Sequence, residues 1–196
     1  MKRLLTFTVL FLLTMIVAGC SGNKAQVANE SSNGQLVEPV RTAQAAASEH
    51  KTLVVYFSHS GNTRAVAEQV QRKLNADILE IKPTTPYTTV YNDLTKQAKQ
   101  EMEAGFKPKL QPINMDIQAY DTVVIASPVW WGTIALPMQS FLSEYNLAGK
   151  TILPVVTHGG SGLARSVSDI RQLCPQADVK SGLAIRSSAI NSSQAE

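Results

Sequence analysis

The chain of 196 residues is 44% hydrophobic and carries 18 Lys and Arg against 15 Asp and Glu, a formal net charge of +3. From residue 50 onward, 14 basic residues against 12 acidic ones leave a charge of +2. So small a positive excess predicts no nucleic-acid binding, because such a surface needs a marked excess of basic charge.

The first 19 residues are predicted to be a lipoprotein signal peptide. A basic start, MKR, precedes an apolar run of 15 residues, which is short for a membrane span. The run ends in VAGC, residues 17–20, which resembles the bacterial lipobox. That resemblance implies cleavage before Cys20 and acylation of its thiol and new amino group, and more than one acyl chain gives stable anchoring. Ser21 resembles the outer-membrane sorting pattern of Gram-negative bacteria. The alternative is an ordinary signal peptide that contains a Cys.

Changes in composition predict the domain boundaries. Residues 20–50 are small, polar and without sustained periodicity, which predicts a flexible tether, and residues 187–196 are interpreted as a polar tail. The segment 51–186 has a usual size for one domain. If Cys20 is lipidated, Cys174 has no disulfide partner within the chain, and we interpret it as a small core residue.

Strand-like and helix-like patterns alternate along this domain. Strands covered on both faces give near-continuous apolar runs, and helices give apolar residues at i, i+4 spacing. The predicted order is strand 52–58, helix 62–75, edge strand 76–82, helix 88–104, a proline-containing loop to Tyr120, strand 122–128, a helix begun by Pro137, strand 150–159, helix 163–173 and strand 178–185. Pro154 is awkward within its strand, because proline has no N–H for the ladder of a central strand.

Five strands with four intervening helices predict an α/β fold with a doubly wound parallel sheet. In such folds, ligands lie beyond the carboxyl ends of the strands, where the strand order reverses. The unusual residues of this sequence follow the first, third and fourth strands, as that rule requires.

The segment SHSGNT (58–63) follows the first strand and opens the first helix. Gly61 lets a ligand approach the backbone closely, and Ser58, Ser60 and Thr63 offer hydroxyl groups. The helix N-terminus adds free N–H groups, which favour an anion. Neither GxxxxGK[ST] nor GxGxxG is present, so the segment favours a terminal monophosphate over a nucleoside triphosphate or a dinucleotide. The alternative is that Ser and Asn side chains simply cap the helix.

Two further segments follow the third and fourth strands. SPVWWGT (127–133) holds both tryptophans of the chain. One indole can pack in the core while the other offers a flat face to a planar ligand, or both can be packing residues. THGGSG (157–162) has adjacent glycines that let backbone N–H groups reach a ligand. Ser161 is not a hydrolase nucleophile, because Leu163 stands where GxSxG needs glycine.

Together these segments describe a pocket for a flat heterocycle with a monophosphate tail, a description that FMN fits. In these residues the chain resembles the flavodoxin family. The resemblance is to a short bacterial subgroup whose members are often lipoproteins. The resemblance covers roughly residues 50–186. It is carried by VVYFSHSGNT, PYTTVYNDLTKQAKQEME, SPVWWGTIALPMQSFL, KTILPVVTHGGSGLARSVSDI and LCPQADVKSGLAI. It implies a five-stranded sheet in the order 2-1-3-4-5.

The resemblance also implies which positions hold FMN. They are Ser58, His59, Ser60, Gly61, Asn62 and Thr63 at the phosphate; Pro128, Val129, Trp130, Trp131, Gly132 and Thr133, with one indole against the ring; and Thr157, His158, Gly159, Gly160, Ser161 and Gly162. No catalytic residue and no metal ligand is assigned. The third segment lacks the aromatic residue with which some flavodoxins cover the second face of the flavin.

The implied function is an FMN-dependent redox protein at a membrane surface. It would carry electrons, or it would reduce a small acceptor such as a quinone, because flavodoxins that serve protein partners are usually strongly acidic and this domain is not. The alternative is a surface lipoprotein that keeps the fold as an interaction module with weak or no flavin, since a non-covalent cofactor must be acquired after export. A phosphorylation-type receiver domain is disfavoured, because no acidic cluster follows the first strand.

Overall fold

The computed structural model describes residues 51–192. The proposed signal peptide, Cys20 and the tether at 20–50 lie outside the described residues. The elements are β1 (Thr52–Tyr56), α1 (Asn62–Leu74), β2 (Asp77–Glu80), α2 (Tyr91–Glu103), a 3₁₀ turn (Ile117–Ala119), β3 (Thr122–Trp130), β4 (Thr133–Ile134), α3 (Leu136–Glu144), β5 (Thr151–His158), α4 (Ser166–Leu173), β6 (Asp178–Val179), β7 (Leu183–Arg186) and α5 (Ser187–Ser192). Within this part of the chain no helix is both long and apolar enough to cross a bilayer.

The sheet confirms the predicted α/β fold and its strand order. Its strands lie in the order β2-β1-β3-β5-β6, and β7 also pairs with β5. All of these pairs are parallel, whereas the short β4 pairs with the end of β3 in an antiparallel hairpin. The fourth predicted strand is therefore β5, and the fifth is shared by β6 and β7.

Helices cover both faces of the sheet, as a doubly wound fold requires. On one face, Val54 and Val124 pack with residues of α1 in a single apolar cluster. Their chain neighbours Leu53 and Val123 point to the opposite face and pack with residues of α3 and α4. All four strand residues are at most 1% exposed. This double burial explains why the central strands have near-continuous apolar sequences.

The structure corrects the predicted polar tail. Residues 187–192 form α5, and Ile190 is only 3% exposed in the same cluster as residues of α1. One apolar side chain docks this short helix. The surrounding Ser, Ala and Asn residues gave no periodic signal, so composition alone did not reveal it.

Pro154 lies in β5 without disturbing the central pairs. The carbonyls of Lys150 and Ile152 accept hydrogen bonds from Asp178 and Lys180, so even-numbered residues of β5 direct their backbone groups toward the fifth strand position. Pro154 therefore has no N–H to donate to the fifth strand. At this point the fifth strand is interrupted: its pairing with β5 ends with β6 and resumes with β7. The break in the fifth strand is thus accounted for by one proline in its neighbour.

Gly182 closes the gap opposite Pro154, and its substitution tests this packing. Its φ is +81°, and an added Cβ would lie 3.0 Å from Val167 and 3.2 Å from Pro154. Gly149 is a matched control with φ +74° and no atom within 4 Å of its added Cβ. We expect Gly149→Ala to cost about 1 kcal/mol of unfolding free energy from backbone strain alone. Gly182→Ala should cost roughly 1–3 kcal/mol more through overpacking. Urea denaturation of both variants measures the difference, and equal losses would contradict the packing account.

Candidate functional site

A cavity of about 580 Å³ opens at the carboxyl ends of β1, β3 and β5. The strand order reverses between β1 and β3, which is where open α/β sheets bind ligands. Its volume lies within the usual range for small-molecule sites. The lining residues are Ser60, Asn62, Tyr91, Leu94, Thr95, Ala98, Pro128, Val129, Trp130, Trp131, Thr157, His158, Gly159 and Ser187. Nine of them were predicted from the sequence, and none is Lys, Arg, Asp or Glu.

The loop between β1 and α1 leaves the helix N-terminus available to an anion. Gly61 precedes α1 with φ +93°, no side chain caps the helix, and its first turn has no acidic residue. Ser58 Oγ accepts the Gly61 N–H at 3.1 Å, which holds the turn. The capping alternative is therefore wrong. The free N–H groups of the first turn and the positive end of the helix dipole face the loop from which Ser60 and Asn62 line the cavity.

A buried pair of hydroxyls joins this loop to β5. Thr63 Oγ1 and Thr157 Oγ1 are 2.8 Å apart, and the two residues are 2% and 3% exposed. Only one hydroxyl hydrogen is needed for this bond, so the other remains a donor for a further partner. The pair fixes the first turn of α1 against the strand whose end carries the third predicted segment.

The second predicted segment is a tight β-hairpin rather than a loop. Trp130 pairs with Thr133, so Trp131 and Gly132 form a two-residue turn. Their φ values are +49° and +81°, the signs that a type I′ turn requires and that Asn-Gly satisfies best. For Trp131 the left-handed conformation costs about 1–2 kcal/mol. This hairpin is not evident from the sequence, because Trp is a rare residue in such a turn.

The two indoles have different environments. Trp130 packs edge-on against Phe57 and Tyr87, with ring centroids 5.5 and 5.0 Å away, and it also contacts the ring of His59 at 6.1 Å. Burial and a 2.6 Å hydrogen bond from its hydroxyl to Glu101 raise the pKa of Tyr87, so this ring packs against Trp130 as a neutral phenol. Trp130 is therefore largely a packing residue.

Trp131 lies across α2 and is 49% exposed. Its indole N–H donates to the Thr95 carbonyl at 3.0 Å, and Lys99 Nζ lies 5.3 Å from the ring centroid. These contacts offset part of the cost of its backbone conformation. Of the two indoles, Trp131 has the more accessible ring, and both line the cavity.

Helices α2 and α5 contribute lining residues that were not predicted from the sequence. The missed lining residues are Tyr91, Leu94, Thr95, Ala98 and Ser187. Three of them belong to the i, i+3, i+4 stripe by which α2 was recognised, and such a stripe normally faces only the core. The available signal was Tyr91, an aromatic residue that begins the stripe and is 74% exposed. Ser187 was assigned to the tail.

The base of the hairpin is fastened to α4. Thr133 is 1% exposed, and its hydroxyl donates to Asp169 Oδ2 at 2.5 Å. Arg165 Nε donates to the same oxygen at 2.9 Å, and its backbone N–H donates to the Gly132 carbonyl at 3.0 Å. Thr133 and Gly132, both predicted as ligand contacts, therefore position the hairpin and do not line the cavity.

Only the first half of the third segment reaches the cavity. Thr157, His158 and Gly159 line it, while Gly160, Ser161 and Gly162 do not. Gly160 lies against the guanidinium of Arg186, and the Gly162 N–H donates to His158 Nδ1 at 3.1 Å. Gly162 thus folds the segment back onto its own histidine.

The remaining predicted residues lie just outside the cavity. Ser58 and His59 line a separate space of about 220 Å³, where Arg64 bonds to Glu80. Gly61 and Thr63 hold the first loop as described above. Within residues 51–192, no group of three or more His, Cys, Asp or Glu could hold a metal ion.

Comparison with known proteins identifies related chains. The flavodoxin family model matches residues 51–195. A candidate flavoprotein from Bacteroides eggerthii is 29% identical with a TM-score of 0.64, and the match covers 74% of this chain and 96% of that one. A flavoprotein from Lactobacillus acidophilus, solved in complex with FMN, is 24% identical with a TM-score of 0.63 over 75% of this chain and 99% of that one. None of the curated proteins matches the chain significantly.

Substitutions of the two tryptophans should separate packing from turn strain. We expect Trp130→Ala to cost about 3 kcal/mol of unfolding free energy, because it leaves a gap among Phe57 and Tyr87. Trp131→Asn removes the bond to Thr95 but relieves the left-handed strain, so stability should change by less than about 1 kcal/mol. Trp131→Ala loses the bond without an equal relief and should be intermediate. Urea midpoints rank the three variants, and a Trp131→Asn variant as unstable as Trp130→Ala would show that Trp131 is a packing residue.

Proposed function

The chain belongs to the flavodoxin family, and we propose that its cavity binds FMN and that the protein is a redox flavoprotein. The observation that carries this proposal is the composition of one cavity. An uncapped helix N-terminus and an exposed indole in a strained turn meet there, at the switch point where flavodoxin binds its cofactor.

The phosphate would lie at the N-terminus of α1. Backbone N–H groups and the helix dipole favour a negative charge there, and Ser60 and Asn62 can add side-chain donors. No Lys or Arg lines the cavity, so the charge of the phosphate is met by dipoles and hydroxyls. Such a site suits one phosphate group better than a chain of two or three.

The isoalloxazine ring would lie between the hairpin and α2. Trp131 offers an indole face, while Leu94 and Ala98 provide a buried apolar floor. Tyr91 of α2 adds a third aromatic side chain to those of Trp130 and Trp131 in the same cavity, although the third segment has none. The FMN complex of the Lactobacillus protein makes FMN the first ligand to test.

When bound, FMN would supply the electron or hydride transfer. The residues of this chain would orient the ring, exclude water from its buried side and set the electrostatics around it. Because the chain is not acidic, we propose that a small acceptor such as a quinone receives the electrons, with a protein partner as the second possibility.

We further propose that Cys20 is lipidated and holds the protein at an extracytoplasmic membrane surface, the outer membrane in a Gram-negative cell. The predicted tether at residues 20–50 would join the domain to this anchor. The domain would thus remain close to the membrane, where apolar acceptors such as quinones are dissolved. The support for this proposal is the sequence VAGC after an apolar run.

FMN binding is the decisive test of the proposed function. We expect the full-length protein in detergent micelles to bind FMN with micromolar affinity or better, with quenching of both flavin and tryptophan fluorescence. Riboflavin should bind at least tenfold more weakly, because it cannot engage the N-terminus of α1. Absence of FMN binding would favour the interaction module without flavin.

If FMN binds, reduction by NAD(P)H alone would distinguish an enzyme from a carrier that needs a protein donor.

The role of Trp131 can be tested with a variant that leaves the fold intact. We expect Trp131→Asn to weaken FMN binding about tenfold or more, since stacking on an aromatic side chain is worth roughly 1–3 kcal/mol. Phe106→Asn is a matched control, because Phe106 is 50% exposed and does not line the cavity. Unchanged affinity in Trp131→Asn, or an equal loss in both variants, would contradict stacking on this indole.

The anchor is tested by cell fractionation. We expect the wild-type protein to be in the membrane fraction and to be labelled by a palmitate analogue. We expect the Cys20→Ser variant to remain unlabelled. Cys174→Ser is the matched control and should keep the label, because Cys174 is buried. A label retained by Cys20→Ser would contradict acylation at this residue.

A further inference from the structure

We propose that His158 is held as the neutral Nε2–H tautomer and donates a hydrogen bond from Nε2 to the flavin, where it raises the reduction potential. This inference rests on the proposed function, because it assigns a role toward FMN. The inference goes beyond FMN binding in two respects. It names His158 Nε2 as the atom that tunes the cofactor and the Gly162 N–H as the group that fixes the proton on Nε2.

The proton position follows from the loop after β5. The Gly162 N–H donates to His158 Nδ1 at 3.1 Å, so Nδ1 acts as an acceptor and carries no proton. A neutral imidazole then carries its hydrogen on Nε2. The same bond joins residues four positions apart and closes the segment on the side chain of its second residue, His158. Loop closure and tautomer are therefore set by one interaction.

The position of His158 leaves Nε2 for a ligand. His158 is the last residue of β5, lines the cavity and is only partly buried. Its backbone carbonyl accepts the Ser187 hydroxyl at 3.3 Å, which ties this strand end to α5. Within residues 51–192, no protein group is hydrogen-bonded to Nε2 in this structure. With Nδ1 turned to its own loop, the opposite edge of the ring is the one available to the cavity.

The other residues that line the cavity determine how strongly a donor at His158 Nε2 affects the reduction potential of bound FMN. None of them is Lys or Arg, and the indole N–H of Trp131 is committed to Thr95. The other side-chain donors of the lining are therefore hydroxyls, the amide of Asn62 and the indole N–H of Trp130. Two-electron reduction of a flavin adds two electrons and, at N5, one proton, and it leaves one negative charge on the pyrimidine part of the ring. In the proposed pose Nε2 meets that part of the ring, and a fixed donor there binds the reduced flavin more tightly than the oxidised one, which raises the potential.

Two substitutions separate the donor from the loop bond. In His158→Asn, the side-chain oxygen can replace Nδ1 as the acceptor of the Gly162 N–H, but no group reaches the position of Nε2. In His158→Gln, the longer side chain places an N–H₂ donor near that position and gives up the bond to Gly162. A purely structural histidine would be replaced better by Asn, whereas a flavin donor would be replaced better by Gln.

The first experiment determines the tautomer without flavin. ¹⁵N-edited NMR of the full-length protein in micelles, with the His158 signal identified by its absence in His158→Asn, should show a protonated Nε2 and an unprotonated Nδ1 at neutral pH. Protonation of Nδ1 would overturn the inference whether or not the protein binds FMN.

The second experiment measures the potential of bound FMN during titration with dithionite, which supplies the electrons while solvent supplies the proton. We expect His158→Asn to bind reduced FMN about tenfold more weakly relative to oxidised FMN, a fall of about 30 mV for a two-electron couple. His158→Gln should retain the wild-type potential. If the wild-type protein binds FMN but all three potentials agree, or only His158→Gln shifts, the donor role is wrong while the proposed function stands. If the wild-type protein does not bind FMN, both fail.

Discussion

Parallel pairing is the constraint on which the rest of the molecule depends. Because β1, β3 and β5 all run in one direction, each must return through a helix, and all their carboxyl ends lie at one edge of the sheet. The strands are buried on both faces, so polar residues are excluded from their interiors and collect beyond that edge. Three chain segments far apart in sequence thereby become the walls of one cavity. The Thr63–Thr157 bond then fixes two of those walls at a defined separation.

The same constraint explains how much of the fold the sequence predicts. The central strands were recognised because double burial produces apolar runs, and the strand order followed from the family resemblance. The elements that escaped prediction are those whose stability comes from tertiary contacts. The two-residue strand β4 exists through its pairing with β3, and α5 docks through Ile190. The division of the fifth strand depends on Pro154 of a neighbouring strand, which no local pattern of residues 178–186 encodes.

The candidate site divides in the same way. Ser60, Asn62 and the hairpin residues 128–131 were predicted because they follow strands directly, and the structure places them around the cavity. The contribution of α2 was missed because its stripe serves the core and the cavity at once. The role of Asp169 was missed as well, since its link to Thr133 crosses 36 positions of sequence. Sequence spacing locates the ligand-facing loops, but it does not show which side chains hold those loops in place.

Two departures from locally preferred residues border the cavity at the carboxyl edge of the sheet, one at the start of α1 and one in the turn between β3 and β4. A side-chain cap stabilises the start of a helix, yet α1 starts from Gly61 without one, and α2, α3 and α4 also start without one. A two-residue hairpin optimised for stability would carry Asn-Gly, yet β3 and β4 are joined by Trp131 and Gly132. Asn75, by contrast, ends α1 in the left-handed conformation that asparagine tolerates. Conflicts between local and global preference concentrate where function requires particular groups. The stronger of the two departures is Trp131, whose left-handed backbone places an indole at the cavity that Ser60 and Asn62 also line.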